Sequence, residues 1–132
     1  MYPVLVTVPK PTQAELDILR ALWDLGPATA RQVLEHLRAQ KPSTGYTTVL
    51  KLMQIMTEKG LLARDETERT HVYRPALRRE QTQRQLAGEL LDKVFGGSAA
   101  ALLMQALSTK RASKRELAEI RQLLDEMEGG KQ

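Results

Sequence analysis

Helix starts are the plainest feature of this chain. Thr12-Gln-Ala-Glu15, Thr29-Ala-Arg-Gln32 and Ser113-Lys-Arg-Glu116 each set a hydroxyl three residues before a Glu or Gln. In that spacing the hydroxyl accepts from the backbone N–H three residues on, and the longer side chain reaches back to the N–H of the cap. Two donors left over at a helix start are thereby satisfied. Behind the first box, Leu16, Leu19, Leu22 and Trp23 recur at helical spacing until Gly26-Pro27. Behind the second, Val33, Leu34 and Leu37 form a short stripe that ends at Lys41-Pro42. A third helix, capped by Ser43 or Thr44, runs to Lys59 with Val49, Leu52, Met53 and Met56 inward, and Gly60 is placed as its left-handed stop.

The period changes after Gly60. Residues 61–65 and 70–74 are short and β-capable, joined by the polar stretch 66–69, and Pro75 keeps the second out of a sheet centre; this spacing predicts a two-stranded hairpin. From Leu77 the pattern is helical again. A long polar helix carries Leu86, Leu90, Leu91, Val94 and Phe95 up to Gly96-Gly97. Ser98 caps a short helix that is apolar almost all round. The last helix sets Leu117, Ile120, Leu124 and Met127 on one face. Residues 1–11 read as a loose arm, with an extended stretch at 4–8.

The expected fold is mainly α with a small β-hairpin: a winged helix-turn-helix over 12–76, followed by a helical dimerisation region over 77–132. Three helices in the last 55 residues have too little chain for a core of their own, and the apolar helix at 99–107 needs covering. A symmetric partner would bury Leu86, Leu90, Val94, Phe95, Leu102, Leu103, Leu107, Leu117, Ile120 and Leu124. Packing against the winged domain is the alternative.

The case for double-stranded DNA rests on the third helix, whose outer face carries Thr47, Thr48, Lys51, Gln54 and Glu58. Thr, Gln and Lys hydrogen-bond base edges and phosphates, and one helix fits the major groove. Tyr46 and Thr44 stand at its N-terminal end, where free N–H groups favour phosphate. The chain carries a net charge of only +4, but residues 31–64 hold six basic residues against two acidic, as much net charge as the whole chain. Arg31 and Lys41 are therefore expected at the DNA backbone, and Arg69 and Arg74 from the wing. A merely solvated helix face beside a structural hairpin is the bland reading of the same residues.

Other chemistries find little footing. With no Cys there is no disulfide, zinc ribbon or thiol nucleophile, which suits a reducing cytoplasm. No cofactor or metal is expected, and His36 and His71 read as surface or strand histidines. Glu15 and Asp17 are explained by capping and the helix dipole. Asp125, Glu126 and Glu128 read as a solvated face. Met53, Met56, Met104 and Met127 read as core, as does Trp23 beneath the third helix. No nucleophile elbow or phosphate loop is present, so an enzyme is not expected. The longest apolar run, 99–104, is far too short to span a membrane, and the N-terminus, broken by Pro3 and Pro9, does not read as a signal peptide.

Residues 12–128 resemble the penicillinase-repressor family, the bacterial repressors of β-lactamase and methicillin-resistance genes. The residues that carry the resemblance are Thr12-Gln-Ala-Glu-Leu16, Leu22-Trp23, Gly26-Pro-Ala-Thr29, Val33, Tyr46-Thr-Thr-Val49, Lys59-Gly-Leu61, Arg69, Tyr73-Arg-Pro75, Phe95-Gly-Gly-Ser98 and Ser113-x-x-Glu-Leu117. The resemblance implies a cytoplasmic homodimer on a two-fold operator, held together by its C-terminal helices. It also implies a membrane sensor protease, or its downstream effector, as a further partner. Three departures stand out. The family's Asn-Phe cleavage pair is replaced by Gln105-Ala106, and the cysteines of the copper-sensing branch are absent. Glu68 stands where family wings usually have Gly. Two other readings stay open: a winged-helix protein-interaction module without DNA binding, and a regulator sensing a small ligand at a dimer interface.

Overall fold

A computed structural model describes residues 9–130. The extended stretch expected at 4–8 lies outside them. Six helices and one hairpin follow in order: α1 (Gln13–Leu25), α2 (Ala30–Arg38), α3 (Tyr46–Lys59), β1 (Leu62–Asp65), β2 (Val72–Pro75), α4 (Arg79–Phe95), α5 (Ala99–Thr109) and α6 (Lys114–Gly129).

All three capping boxes form. Thr12 and Glu15 exchange both hydrogen bonds at the start of α1, Thr29 and Gln32 at α2, and Ser113 and Glu116 at α6. The start of α3 differs from expectation. Its cap is Gly45, with no side-chain bond, and neither Ser43 nor Thr44 caps it. The Thr44 hydroxyl instead donates to the Lys41 carbonyl at 2.7 Å, and Arg38 Nε donates to the Thr44 carbonyl at 2.9 Å. The hydroxyl is thus spent closing the turn between α2 and α3, where local side-chain bonds compete with capping.

Gly60 ends α3 at φ 88°, ψ 11°, the left-handed conformation in which a Cβ is strained. A Cβ there meets nothing within 4 Å. Gly60→Ala should therefore cost about 1 kcal/mol through backbone strain alone, read as a lower midpoint in urea unfolding. An unchanged midpoint would mean that the cap relaxes freely.

β1 and β2 pair antiparallel, with Leu62 opposite Pro75 and Asp65 opposite Val72. A third segment, absent from the expected layout, joins them. Ala28 and Tyr73 exchange backbone bonds of 3.0 and 2.8 Å, so the residue before the α2 cap is stitched to the hairpin.

Apart from Pro11, every buried apolar residue among those described lies between Ile18 and Tyr73. α1 contributes Ile18, Leu19 and Leu22, α2 Val33 and Leu34, α3 Val49, Met53 and Met56, and the hairpin Leu62 and Tyr73. Leu37 and Leu52 pack at the edge of this core. Trp23 is partly buried and packs against this core, and the guanidinium of Arg79 lies 5.9 Å from its ring centroid.

The chain divides into two compact units after Leu86, so the first two turns of α4 belong with the winged helices. The second unit has no buried residue in α5 or α6. Met104 and Met127, expected in the core, are 67% and 61% exposed, because α5 and α6 bring no second layer over them within one chain.

Candidate nucleic-acid interface

The inward pull of Val49, Met53 and Met56 decides what α3 presents to solvent. Burying that stripe turns Thr47, Thr48, Lys51, Gln54 and Glu58 outward, and all five are exposed. The mechanism is the helical period: residues three and four apart share a face.

The expected contact residues fall into groups on either side of this face. Arg31, Tyr46, Gln54 and Arg69 line one open groove of about 340 Å³ between the start of α2, α3 and the hairpin. Within it the Arg31 guanidinium lies 4.5 Å from the centroid of the Tyr46 ring. This cation–π contact ties the first turns of α2 and α3 together and holds a permanently charged fork at the groove. On the other side Lys41, Thr44 and Thr48 line a crevice between α1, the turn and α3. Lys41 is not idle there: its Nζ lies 2.9 Å from Asp17 Oδ2. Burial raises the Asp17 carboxyl, but the bonds from Lys41 and Gln13 outweigh it and leave its pKa below the ordinary value. Arg74 stands apart from both groups, exposed on β2 opposite Ala63.

The tip of the hairpin is tied up in its own contacts. Asp65 accepts from the Thr67 amide at 3.0 Å and from the Thr67 hydroxyl at 2.8 Å, which hold its carboxyl below the ordinary value. Arg64 pairs with Glu66 at 2.7 Å. No non-glycine residue described has a positive φ, so the turn accepts Glu68 without left-handed backbone.

Several contacts were not foreseen. Glu15 caps α1 as expected, but it is also buried, with Lys59 Nζ 2.7 Å from its Oε2. His36 Nε2 lies 3.3 Å from Asp24 Oδ2. The Arg31–Tyr46 stack and the Lys41–Asp17 and Lys59–Glu15 pairs join residues far apart in the chain. No short-range pattern signals them.

Three helices, a hairpin packed against them, and an uncovered polar face on the third helix define a winged helix-turn-helix protein. The chain belongs to the penicillinase repressor family, whose model matches residues 11–126. Members of this family are transcriptional repressors, not enzymes. Among its relatives are the transcriptional regulator BlaI of Mycobacterium tuberculosis, 31% identical over 121 residues, and the penicillinase repressor of Staphylococcus aureus, 19% identical over 116. The first match covers 88% of this chain and 83% of the relative, the second 88% and 91%. Among solved structures, the Bacillus licheniformis BlaI monomer in complex with the blaP half-operator aligns with a TM-score of 0.48 and 20% identity. That alignment covers 56% of this chain and 89% of the other. A MarR family protein from Bacillus stearothermophilus aligns with a TM-score of 0.46 and 21% identity, over 91% and 74%.

Proposed function

We propose that this chain represses transcription as a homodimer, each protomer laying α3 in a major groove of a two-fold operator. The observation that carries the reading is the outer face of α3, polar, uncovered and backed by the core, with Arg31 and Arg69 beside it. Thr47, Thr48, Lys51 and Gln54 are the residues assigned to base edges or nearby phosphates. Tyr46, Thr44, Arg31 and Lys41 are assigned to the backbone, with Arg69 and Arg74 reaching from the hairpin. A phosphate recruiting Lys41 competes with Asp17 for its ammonium. Charge opposes a close approach by the hairpin tip, where Asp65, Glu66 and Glu68 cluster.

The dimer reading is supported by the second unit. Leu90, Val94 and Leu124 are 44%, 65% and 47% exposed, and Phe95, Leu102, Leu103, Leu107, Leu117 and Ile120 are only partly covered, whereas Leu86 belongs to the first unit. So much apolar surface on one small unit marks an interface. Gln105 and Ala106 lie exposed within α5, in the place of the Asn-Phe pair. Release from DNA by the family's sensor protease would therefore need a different cut, or a different signal.

A gel-shift titration on the DNA upstream of the protein's own gene, repeated across salt, tests the reading. Affinity should fall steeply with salt, because phosphate contacts release counterions. Lys51→Ala should weaken binding by about 1–3 kcal/mol if Lys51 reads a base, or lower the salt slope by about one if it holds a phosphate. A salt-independent affinity would instead favour a protein-interaction module.

A further inference from the structure

A cavity of about 390 Å³ opens between α1 and the first two turns of α4, away from the outer face of α3. Leu16 and Leu86 give it apolar walls, and Trp23 gives it an aromatic one. Arg20 and Arg79 stand exposed at its rim, and neither guanidinium is in a salt bridge with a carboxylate among the described residues. Asp17 attracts Arg20 at longer range, but its carboxylate is bonded to Lys41. Asp24, the one acid lining the cavity, is engaged by His36 at 3.3 Å. Arg79 is held in place at the indole, 5.9 Å from the ring centroid and with an Nη 3.4 Å from the Trp23 carbonyl. The indole Nε1 of Trp23 is itself buried with no acceptor among the described residues.

We propose that this cavity binds a small planar aromatic carboxylate. The chemistry follows from the lining. Two arginine forks against the single carboxylate of Asp24 leave the lining net positive, which selects an anion, and a guanidinium matches a carboxylate in two parallel hydrogen bonds. The apolar walls and the indole select a flat ring, which packs by area and by offset stacking. A simple inorganic anion satisfies the arginines and leaves the apolar walls wet. An uncharged ring covers the walls and leaves the arginines unanswered.

Trp23 is the sole tryptophan of the chain, so its fluorescence reports the site directly. Full-length protein is titrated with benzoate, benzamide and acetate up to about 10 mM, the range in which a fragment of this size binds. The expected result is a saturable change in Trp23 emission with benzoate, and binding weaker by about tenfold or more for benzamide and acetate. Arg79→Gln and Arg20→Gln should each weaken benzoate by about tenfold while leaving the thermal unfolding midpoint in place, since both side chains are exposed. No saturable change with benzoate, equal affinity for benzamide, or Arg79→Gln and Arg20→Gln proteins that bind as before would each overturn the proposal. The three-probe comparison on the unaltered protein decides the matter even if a variant fails to fold.

Discussion

Replacing Leu124 by Glu is expected to lower the affinity of the full chain for an intact two-fold operator by about a hundredfold, and to leave its affinity for a half-site nearly unchanged. Leu124 is 47% exposed on α6, beside Leu123 at 55% and Met127 at 61%, so a carboxylate there costs the isolated protomer little. In the proposed dimer it lands in an apolar interface, where an unpaired charge is expensive. Separating the protomers removes the second winged unit from the vicinity of its half-site, and the loss of effective concentration accounts for the fall. Sedimentation should show the mass halved at the same loading. Unchanged mass together with unchanged operator affinity would remove α6 from the interface.

The second large effect is on stability. Lys59→Met keeps the aliphatic stem but removes the ammonium that lies 2.7 Å from a carboxylate only 3% exposed. Breaking such a pair leaves a buried charge uncompensated. With Lys59 itself 36% exposed, the expected loss is about 2 kcal/mol, a fall of about 10 °C in the unfolding midpoint. The pH dependence has a definite sign. Burial pushes the Glu15 carboxyl up, but the bonds from Lys59 and from the Thr12 amide outweigh it, and its pKa sits below the ordinary 4.5. A carboxyl depressed in the folded state stabilises the fold fully above its unfolded value, and that contribution is lost as pH falls through the folded one. Without Lys59 most of this advantage goes. The two melting curves should therefore differ most near neutral pH and converge in acid. A gap that is constant with pH would mean that Lys59 acts through packing alone.

Local patterns made the helices and the hairpin legible in the chain. A capping box spans four residues, a helical stripe about eight, and both operate through neighbours that the sequence itself brings together. The outer face of α3 was legible for the same reason: once Val49, Met53 and Met56 are inside, geometry settles where Thr47, Lys51 and Gln54 stand. What could not be read was non-local or competitive. The bridge from Ala28 to Tyr73 needs a partner 45 residues away. Thr44 had two uses for one hydroxyl, and the turn took it. Met104 and Met127 carry the same apolar signature as Met53 and Met56, yet periodicity says only which way a side chain points, not whether anything waits there. Likewise, Lys41 reads as a spare cation until the fold sets Asp17 beside it.

The paired amides at Ala28 and Tyr73 make the hairpin and the root of α2 mechanically one piece. They close a long ring of chain that contains α2, the turn and α3. A push on the hairpin is transmitted to the start of α2, and from there through the Arg31–Tyr46 stack to the leading end of α3. The fold thus has a lever, and a force applied at the hairpin is felt at the leading end of α3.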